Sequence, residues 1–224
     1  MSPFSDTPVA ENFGESESVE PSESLSDENL SKFPRSRFAT HSDTLGLKSI
    51  VYLMDVSASM SAPALDIATA ELRADIRALR SDQTFLVQTY NEKTKPLSIR
   101  GQNNVKFLEA TGANRQLIIE RLGRIQPHGG TDHLSAIENA MTRKPDAIFL
   151  ITDSDEPNAS EQQLEELIAT SPATQVFVCR LVTELSAVNS SGWLKQLAMK
   201  TGGEYRDFCG AELLQRMGGR FTGS

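Results

Sequence analysis

Residues 50–60 read IVYLMDVSASM, and the interpretation of the remaining chain depends on them. Five consecutive apolar residues without polar alternation favour a strand that is buried on both faces, as in a parallel sheet. Asp55, Ser57 and Ser59 then follow at every second position. Ligands of open α/β sheets bind beyond the carboxyl ends of the strands, and carboxylate and hydroxyl oxygens suit hard cations. These residues are compatible with half of a cation site, but this stretch alone favours the alternative, a polar loop whose short side chains cap the next helix.

Composition limits the classes of protein that this chain can belong to. With 224 residues, 38% of them hydrophobic, it can bury one good core. The net charge is −8 and no basic patch occurs, which argues against nucleic acid as a partner. No apolar run approaches the roughly 20 residues that span a bilayer, and no secretory signal is recognisable. Cys179 and Cys209 lack C-x-x-C spacing, so we expect reduced thiols and a cytoplasmic protein without membrane insertion.

The chain divides into segments of different composition. Residues 1–45 are poor in apolar residues and rich in Ser and Glu, above all between Glu15 and Glu28. Such a segment cannot bury enough surface to offset the entropy lost on ordering. We therefore predict a disordered acidic tail over residues 1–45, a folded domain over 46–218 and a flexible C-terminus over 219–224.

Within the predicted domain, apolar runs alternate with stretches of helical periodicity. The predicted strands after the first are 84–90, 147–152, 175–182 and 204–208, with a short edge strand over 97–100 after a turn at 91–96. The predicted helices are 63–80, 114–125 with Asn114 as its N-cap, one that opens after Asp132, one that opens with the capping box of Ser160 and Gln163, one that runs from Trp193 to Gly202-Gly203, and 211–217. This alternation predicts one α/β domain with helices on both faces of a parallel sheet.

Three predicted loops carry oxygen-bearing side chains at strand ends or helix starts. They are Asp55-x-Ser57-x-Ser59, Thr131 after two glycines, and Asp153 after a buried strand. Together they resemble the metal-ion-dependent adhesion site of a von Willebrand factor type A domain, over roughly residues 47–217. The run from Lys195 to Tyr205, KQLAMKTGGEY, resembles the bacterial branch of that family.

The resemblance implies a Rossmann-like, doubly wound, mostly parallel sheet with one antiparallel edge strand. It implies that Ser57, Ser59 and Thr131 supply hydroxyl oxygens, while Asp55 and Asp153 bind directly or through waters. Mg²⁺, or Mn²⁺, suits this set, since Mg²⁺ takes six oxygens and is usually held by one or two carboxylates plus waters. In the family, the remaining coordination position often receives a Glu or Asp side chain of a protein partner.

One position departs from the family pattern. The family usually has Gly after the last Asp, whereas this chain has Ser154 and then Asp155. Additional negative charge there would strengthen cation binding and repel an acidic partner. His128 and His133 flank the predicted site and are either ligand contacts or ordinary loop residues.

Three functional classes follow from these residues. The first is a metal-dependent protein-interaction module without catalysis. The second is a haloacid-dehalogenase-type phosphotransferase, which needs a second acid two residues after the nucleophilic Asp, where this chain has Ser57. The third is an interaction scaffold without a metal. The acidic tail is either a spacer or an internal competitor for the metal.

Overall fold

The computed structural model describes residues 46–60, 62–97, 106–153, 159–182 and 192–209. Its strands form one central sheet. Its elements, in chain order, are β1 Ser49–Asp55, α1 Ala62–Ala78, β2 Thr84–Tyr90, β3 Thr94–Pro96, β4 Leu108–Glu109, α2 Gly112–Leu122, α3 His133–Met141, β5 Ala147–Thr152, α4 Glu161–Thr170, β6 Gln175–Val182, α5 Trp193–Lys200 and β7 Tyr205–Cys209.

The sheet is mixed and mostly parallel, in the order β3-β2-β1-β5-β6-β7. Strands β2, β1, β5, β6 and β7 pair in parallel. Both β3 and β4 pair antiparallel with β2, at its carboxyl and amino ends respectively. The predicted fold class is confirmed, and its antiparallel edge consists of two short pieces.

Helices cover both faces of the sheet. Ile50, Tyr52 and Met54 of β1 pack in a cluster that includes residues of α1 and α2. Val51 and Leu53 point the other way, into a cluster that includes residues of α3, α4 and α5. Because successive side chains of a strand alternate between faces, a strand covered on both sides needs apolar residues at every position. This explains the unbroken apolar run of β1.

The edge of the sheet differs from the sequence prediction. The antiparallel strand lies at Thr94–Pro96, where a turn was predicted, and ends before the predicted 97–100. Leu97 still donates its N–H to the carbonyl of Val87, at 2.9 Å, while 98–100 lie outside the described residues. The strand β4 was not predicted, because two residues carry no periodicity.

The start of α2 also differs from the prediction. Its N-cap is Thr111, whose hydroxyl accepts the backbone N–H of Asn114 at 3.2 Å. Asn114 lies inside the helix and donates its side-chain amide to the carbonyl of Glu109 at 2.9 Å. Thr and Asn are both good N-caps, so composition alone could not choose between them.

Two other helix ends form as the sequence predicts. Ser160 and Gln163 make both bonds of the capping box at the start of α4. At the end of α5, the N–H groups of Gly202 and Gly203 donate to the carbonyls of Met199 and Ala198. With φ of +75° at Gly202, this is a Schellman cap, which turns the chain directly into β7.

The predicted tail, the predicted helix 211–217 and the predicted C-terminus lie outside the described residues. In the part of the chain that is described, no helix is both long and apolar enough to cross a membrane.

Candidate metal site

The first and last predicted loops meet at the carboxyl edge of the sheet. The carboxylate of Asp55 ends β1 and is fully buried, with 0% exposure. Its Oδ1 accepts the backbone N–H of Ser57 at 2.8 Å. The hydroxyls of Ser57 and Ser59 are 3.0 Å apart, and Ser59 Oγ donates to Asp153 Oδ1 at 2.9 Å. Four of the five residues predicted to bind a metal therefore form one hydrogen-bonded chain.

The fifth predicted residue, Thr131, is exposed and lies on a loop that packs against the first loop. His128 donates its N–H to the carbonyl of Val56 at 2.8 Å, and Ala58 donates to the carbonyl of Gly129 at 2.9 Å. These two backbone bonds hold the Thr131 loop against the Asp55–Ser59 loop. The N-cap of α3 is Asp132, whose Oδ1 accepts the N–H of Ser135 at 3.0 Å, so the hydroxyl of Thr131 is not needed as a cap.

Asn91 and Glu92 hold the Thr131 loop from the other side. Asn91 donates its side-chain amide to the carbonyl of His128 and accepts the N–H of Asp132 on its own carbonyl, both at 2.9 Å. Glu92 accepts the N–H of Gly130 at 3.2 Å. Gly129 has φ of +78°, and a Cβ there would lie 3.1 Å from the Asn91 amide nitrogen. Close backbone approach is therefore one reason for glycine at this position.

Beneath the loops, Tyr90 and His133 form a buried pair that the sequence did not predict. The hydroxyl of Tyr90 lies 2.9 Å from Nδ1 of His133. The two residues are 0% and 5% exposed, so His133 is not a loop group that faces a ligand. Burial, and after it the nearby charge of Asp55, raises the pKa of Tyr90 well above its ordinary value of 10.0. No local pattern marks such a pair, because it joins the end of β2 to the start of α3.

Thr152, the last residue of β5, completes the buried part of the site. It is 0% exposed, and its hydroxyl donates to Asp55 Oδ2 at 2.6 Å. Both oxygens of Asp55 therefore accept a hydrogen bond from the chain itself. Strong charge-assisted bonds of this kind fix the orientation of a buried carboxylate.

The spacing of the oxygens tests whether a cation fits. Oxygens on adjacent corners of an octahedron with Mg–O bonds of about 2.0–2.1 Å lie about 2.9 Å apart. The Ser57–Ser59 and Ser59–Asp153 oxygen pairs, at 3.0 and 2.9 Å, have this spacing. Within the described residues, no group of three or more His, Cys, Asp or Glu side chains is arranged to hold a metal. The residues fit a hard cation only if hydroxyls and waters complete the ligand set.

Comparison with known proteins identifies the type of domain. Residues 48–207 match the von Willebrand factor type A domain family. No curated protein matches the chain significantly. Domains of this family generally mediate protein–protein interaction, and some carry a metal site.

Several solved structures share the fold. A von Willebrand factor type A protein from Catenulispora acidiphila has a TM-score of 0.59 and 19% identity, covering 76% of this chain and 42% of its own. An aerotolerance-related membrane protein from Bacteroides fragilis has a TM-score of 0.53 and 14% identity, with coverage of 77% and 97%. Proximal thread matrix protein 1 from the mussel byssus, with a zinc-occupied adhesion-site motif, has a TM-score of 0.51 and 15% identity, with coverage of 77% and 44%.

This chain thus spans less than half of the Catenulispora protein. At these identities the solved structures establish the fold alone. The family match is stronger, because it extends over more than half of the sequence and over all seven strands except the end of β7. The chain belongs to the von Willebrand factor type A domain family.

Proposed function

We propose that this domain binds one divalent hard cation, Mg²⁺ or Mn²⁺, and uses it to hold a Glu or Asp side chain of a protein partner, without catalysis. The ligand set consists of Asp55, Ser57, Ser59, Thr131 and Asp153, some of them acting through waters. The bound ion supplies a concentrated positive charge and an open coordination position.

One observation carries this proposal, namely the hydrogen bonds that join Asp55, Ser57, Ser59 and Asp153 at the carboxyl edge of the sheet. Serine hydroxyls 3.0 Å apart and a Ser59–Asp153 contact of 2.9 Å have the spacing of adjacent ligands on a small octahedral ion. Two carboxylates neutralise a divalent ion, so a third carboxylate from a partner remains an acceptable ligand. The zinc-occupied motif in the mussel byssus protein is a precedent for a metal on this fold.

The ligand set also argues for binding rather than phosphoryl transfer. A phosphotransferase of the haloacid dehalogenase type needs an acid two residues after the nucleophilic Asp to move a proton. Ser57 stands at that position and is 1% exposed. A serine hydroxyl cannot act as a general acid or base near neutral pH, so we expect no turnover of phosphate esters.

Calorimetry with Mg²⁺ and with Mn²⁺ tests the metal. The wild-type protein should show one site for each ion, and Asp55→Asn, which removes one charge and preserves shape, should lose it. Asp146→Asn is the matched control, because Asp146 precedes β5 at the amino edge of the sheet and should leave binding unchanged. Absence of binding to wild type at millimolar ion would contradict the proposal.

A peptide that carries a single Glu side chain tests the partner chemistry. Its binding should require Mg²⁺, disappear in chelator, and disappear again when Glu is replaced by Gln. A peptide that binds equally with and without the ion would favour a metal-independent scaffold. Turnover of p-nitrophenyl phosphate that is lost in Asp55→Asn would instead favour the enzyme.

A further inference from the structure

The turn that follows β2 contacts two ligand loops, although none of the five proposed ligands lies in it. Val56 of the first loop donates its N–H to the carbonyl of Tyr90, the last residue of β2, at 2.8 Å. Asp132, at the end of the Thr131 loop, donates its N–H to the carbonyl of Asn91 at 2.9 Å. Both loops are therefore attached to the same short segment of chain.

The side chain of Asn91 completes a closed ring of hydrogen bonds among these three segments. Its Nδ2 donates to the carbonyl of His128 at 2.9 Å, and the N–H of His128 donates to the carbonyl of Val56 at 2.8 Å. Val56 is bonded in turn to Tyr90, the residue before Asn91. The first loop, the Thr131 loop and the end of β2 therefore hold one another, and one of the three bonds is made by a side chain.

The two ends of the Asn91 amide have fixed roles. The carbonyl of His128 can only accept, so it faces Nδ2, and the N–H of Lys93 can only donate, so it faces Oδ1, at 3.0 Å. Asn91 is 8% exposed, so a lost bond leaves a polar group that water reaches poorly. Asp has the same shape, but it would satisfy only Lys93 and would place an oxygen against the carbonyl of His128.

The two glycines before Thr131 lie directly against this turn. A Cβ at Gly129 would be 3.1 Å from Asn91 Nδ2, and a Cβ at Gly130 would be 3.1 Å from Glu92 Oε1. Glu92 also accepts the N–H of Gly130 at 3.2 Å. These distances are shorter than an ordinary side chain makes, so the backbone of the loop approaches Asn91 and Glu92 at two successive residues.

We propose that Asn91, together with Glu92, is a positioning residue that holds Thr131 in place beside the ligands of the Asp55–Ser59 loop. This inference rests on the proposed function. The side chain of Thr131 is exposed, so packing around it does not fix its loop. When a contact that orders the loop is removed, ion binding has to order the loop as well, and the affinity falls.

The alternative is that Asn91 only stabilises its own turn, through its bond with Lys93. Asn91→Asp separates the two possibilities, because it keeps the acceptor for Lys93 and removes the donor to His128. It also adds a negative charge near the site, which by itself would strengthen the binding of a cation. Weaker binding in this variant can therefore be attributed to the lost donor.

Calorimetry with Mg²⁺ on the full chain is the first measurement. Asn91→Asp should bind the ion about tenfold more weakly than the wild type, at the low end of the range for groups around metal ligands. Asn114→Asp is the matched control, because Asn114 also donates its amide to a backbone carbonyl, that of Glu109, at 2.9 Å, beside the amino end of β2. The control should bind like the wild type. Equal or tighter binding by Asn91→Asp would overturn the proposal.

Glu92 offers a second pair of variants, which lose the same charge. Glu92→Gln keeps an acceptor for the N–H of Gly130, whereas Glu92→Ala removes it. Glu92 is exposed, so neither change should impair folding. Glu92→Ala should bind Mg²⁺ about twofold more weakly than Glu92→Gln, as expected for one weak hydrogen bond. Equal affinities would overturn the role assigned to Glu92.

Hydrogen exchange of backbone amides is the second measurement, and it needs no metal. The N–H groups of His128 and Ala58 join the two loops. In metal-free Asn91→Asp they should exchange about fivefold faster than in the wild type, while the N–H of Lys93 should keep its protection. Unchanged exchange at His128 and Ala58 would overturn the proposal, whatever the calorimetry shows. A wild type that binds no ion would refute the proposed function, while the exchange rates would still decide whether Asn91 positions the loop.

Discussion

At the scale of single residues, Asp55 places a buried and oriented carboxylate at the centre of the candidate site. Its side chain is fully buried, which is costly for a charge unless donors or a cation compensate it. Ser57 and Thr152 supply one donor to each oxygen, at 2.8 and 2.6 Å. The carboxylate is therefore oriented before any ion arrives, and little reorganisation is needed when an ion binds.

Thr131 should matter for metal binding and little for folding. Asp132 already caps α3, and the side chain of Thr131 is exposed. Thr131→Ala should therefore weaken Mg²⁺ and peptide binding while changing the free energy of unfolding by less than about 0.5 kcal/mol. Thr142→Ala is the matched control, since Thr142 lies at the other end of α3 and its hydroxyl donates to Asn139. A large loss of melting temperature in Thr131→Ala, with binding intact, would contradict the metal-binding role.

The two glycines after α5 should differ in their tolerance of a methyl group. A Cβ at Gly203 would lie 1.9 Å from the carbonyl oxygen of Val176, in the backbone of the buried strand β6. Because backbone there cannot move aside, Gly203→Ala should cost about 3 kcal/mol or more. Gly202 has φ of +75°, and a Cβ there would meet only the side-chain nitrogen of Gln175, at an ordinary contact distance of 3.7 Å, so Gly202→Ala should cost only about 1 kcal/mol of left-handed strain. Urea unfolding measures the free energy of unfolding of both variants. Equal losses of stability would mean that the backbone near Val176 can shift.

At the scale of elements, the sequence predicts the parts that have a repeating pattern. The doubly buried strands β1 and β5 have continuous apolar runs, and both were located correctly. Short edge strands such as β3 bury little and follow no period, so a turn was predicted there. Asp55, Ser57, Ser59 and Asp153 were predictable as neighbours, because the carboxyl ends of parallel strands meet at one edge. The Tyr90–His133 contact depends on how α3 packs, which no local pattern encodes.

The stability of the protein should depend on pH in the acid range, because of Asp146 at the amino edge of the sheet. Burial raises the pKa of its carboxyl, but the N–H groups of Lys48 and Ser49, with the Ser49 side chain, outweigh burial and hold it below 3.8. A folded-state pKa below the unfolded value adds stability that is fully present above the unfolded pKa. This stability is lost as the pH falls through the folded value.

The comparison of wild type with Asp146→Asn isolates that contribution. The carboxylate joins the starts of β5 and β1 by accepting the N–H groups of Lys48 and Ser49 at 2.7 and 2.9 Å. Wild type should exceed the variant in free energy of unfolding at pH 6, and the difference should shrink at pH 3. Urea unfolding at the two pH values measures it. A difference that is constant with pH would show that the charge of Asp146 does not contribute.

At the scale of the whole molecule, negative charge is concentrated outside the predicted domain. Residues 1–45 contain nine Asp and Glu and three Lys and Arg, so they carry −6 of the net charge of −8. The remaining chain carries only −2, which is compatible with an acidic partner. At about 0.1 M salt the Debye length is about 10 Å. Interactions between the site and exposed charges that lie farther away than this are therefore largely screened.

Deleting residues 1–44 tests whether the tail is a spacer or an internal competitor. A tether of this length would hold its carboxylates near the ion at an effective concentration on the order of millimolar. At this salt concentration, however, screening removes most of the general attraction between the tail and the ion. We therefore expect the shortened chain to bind the Glu peptide in Mg²⁺ with the affinity of the full chain at 0.15 M salt. Tighter binding by the shortened chain, reproduced when the tail is kept but its Glu residues become Gln, would instead establish competition for the ion.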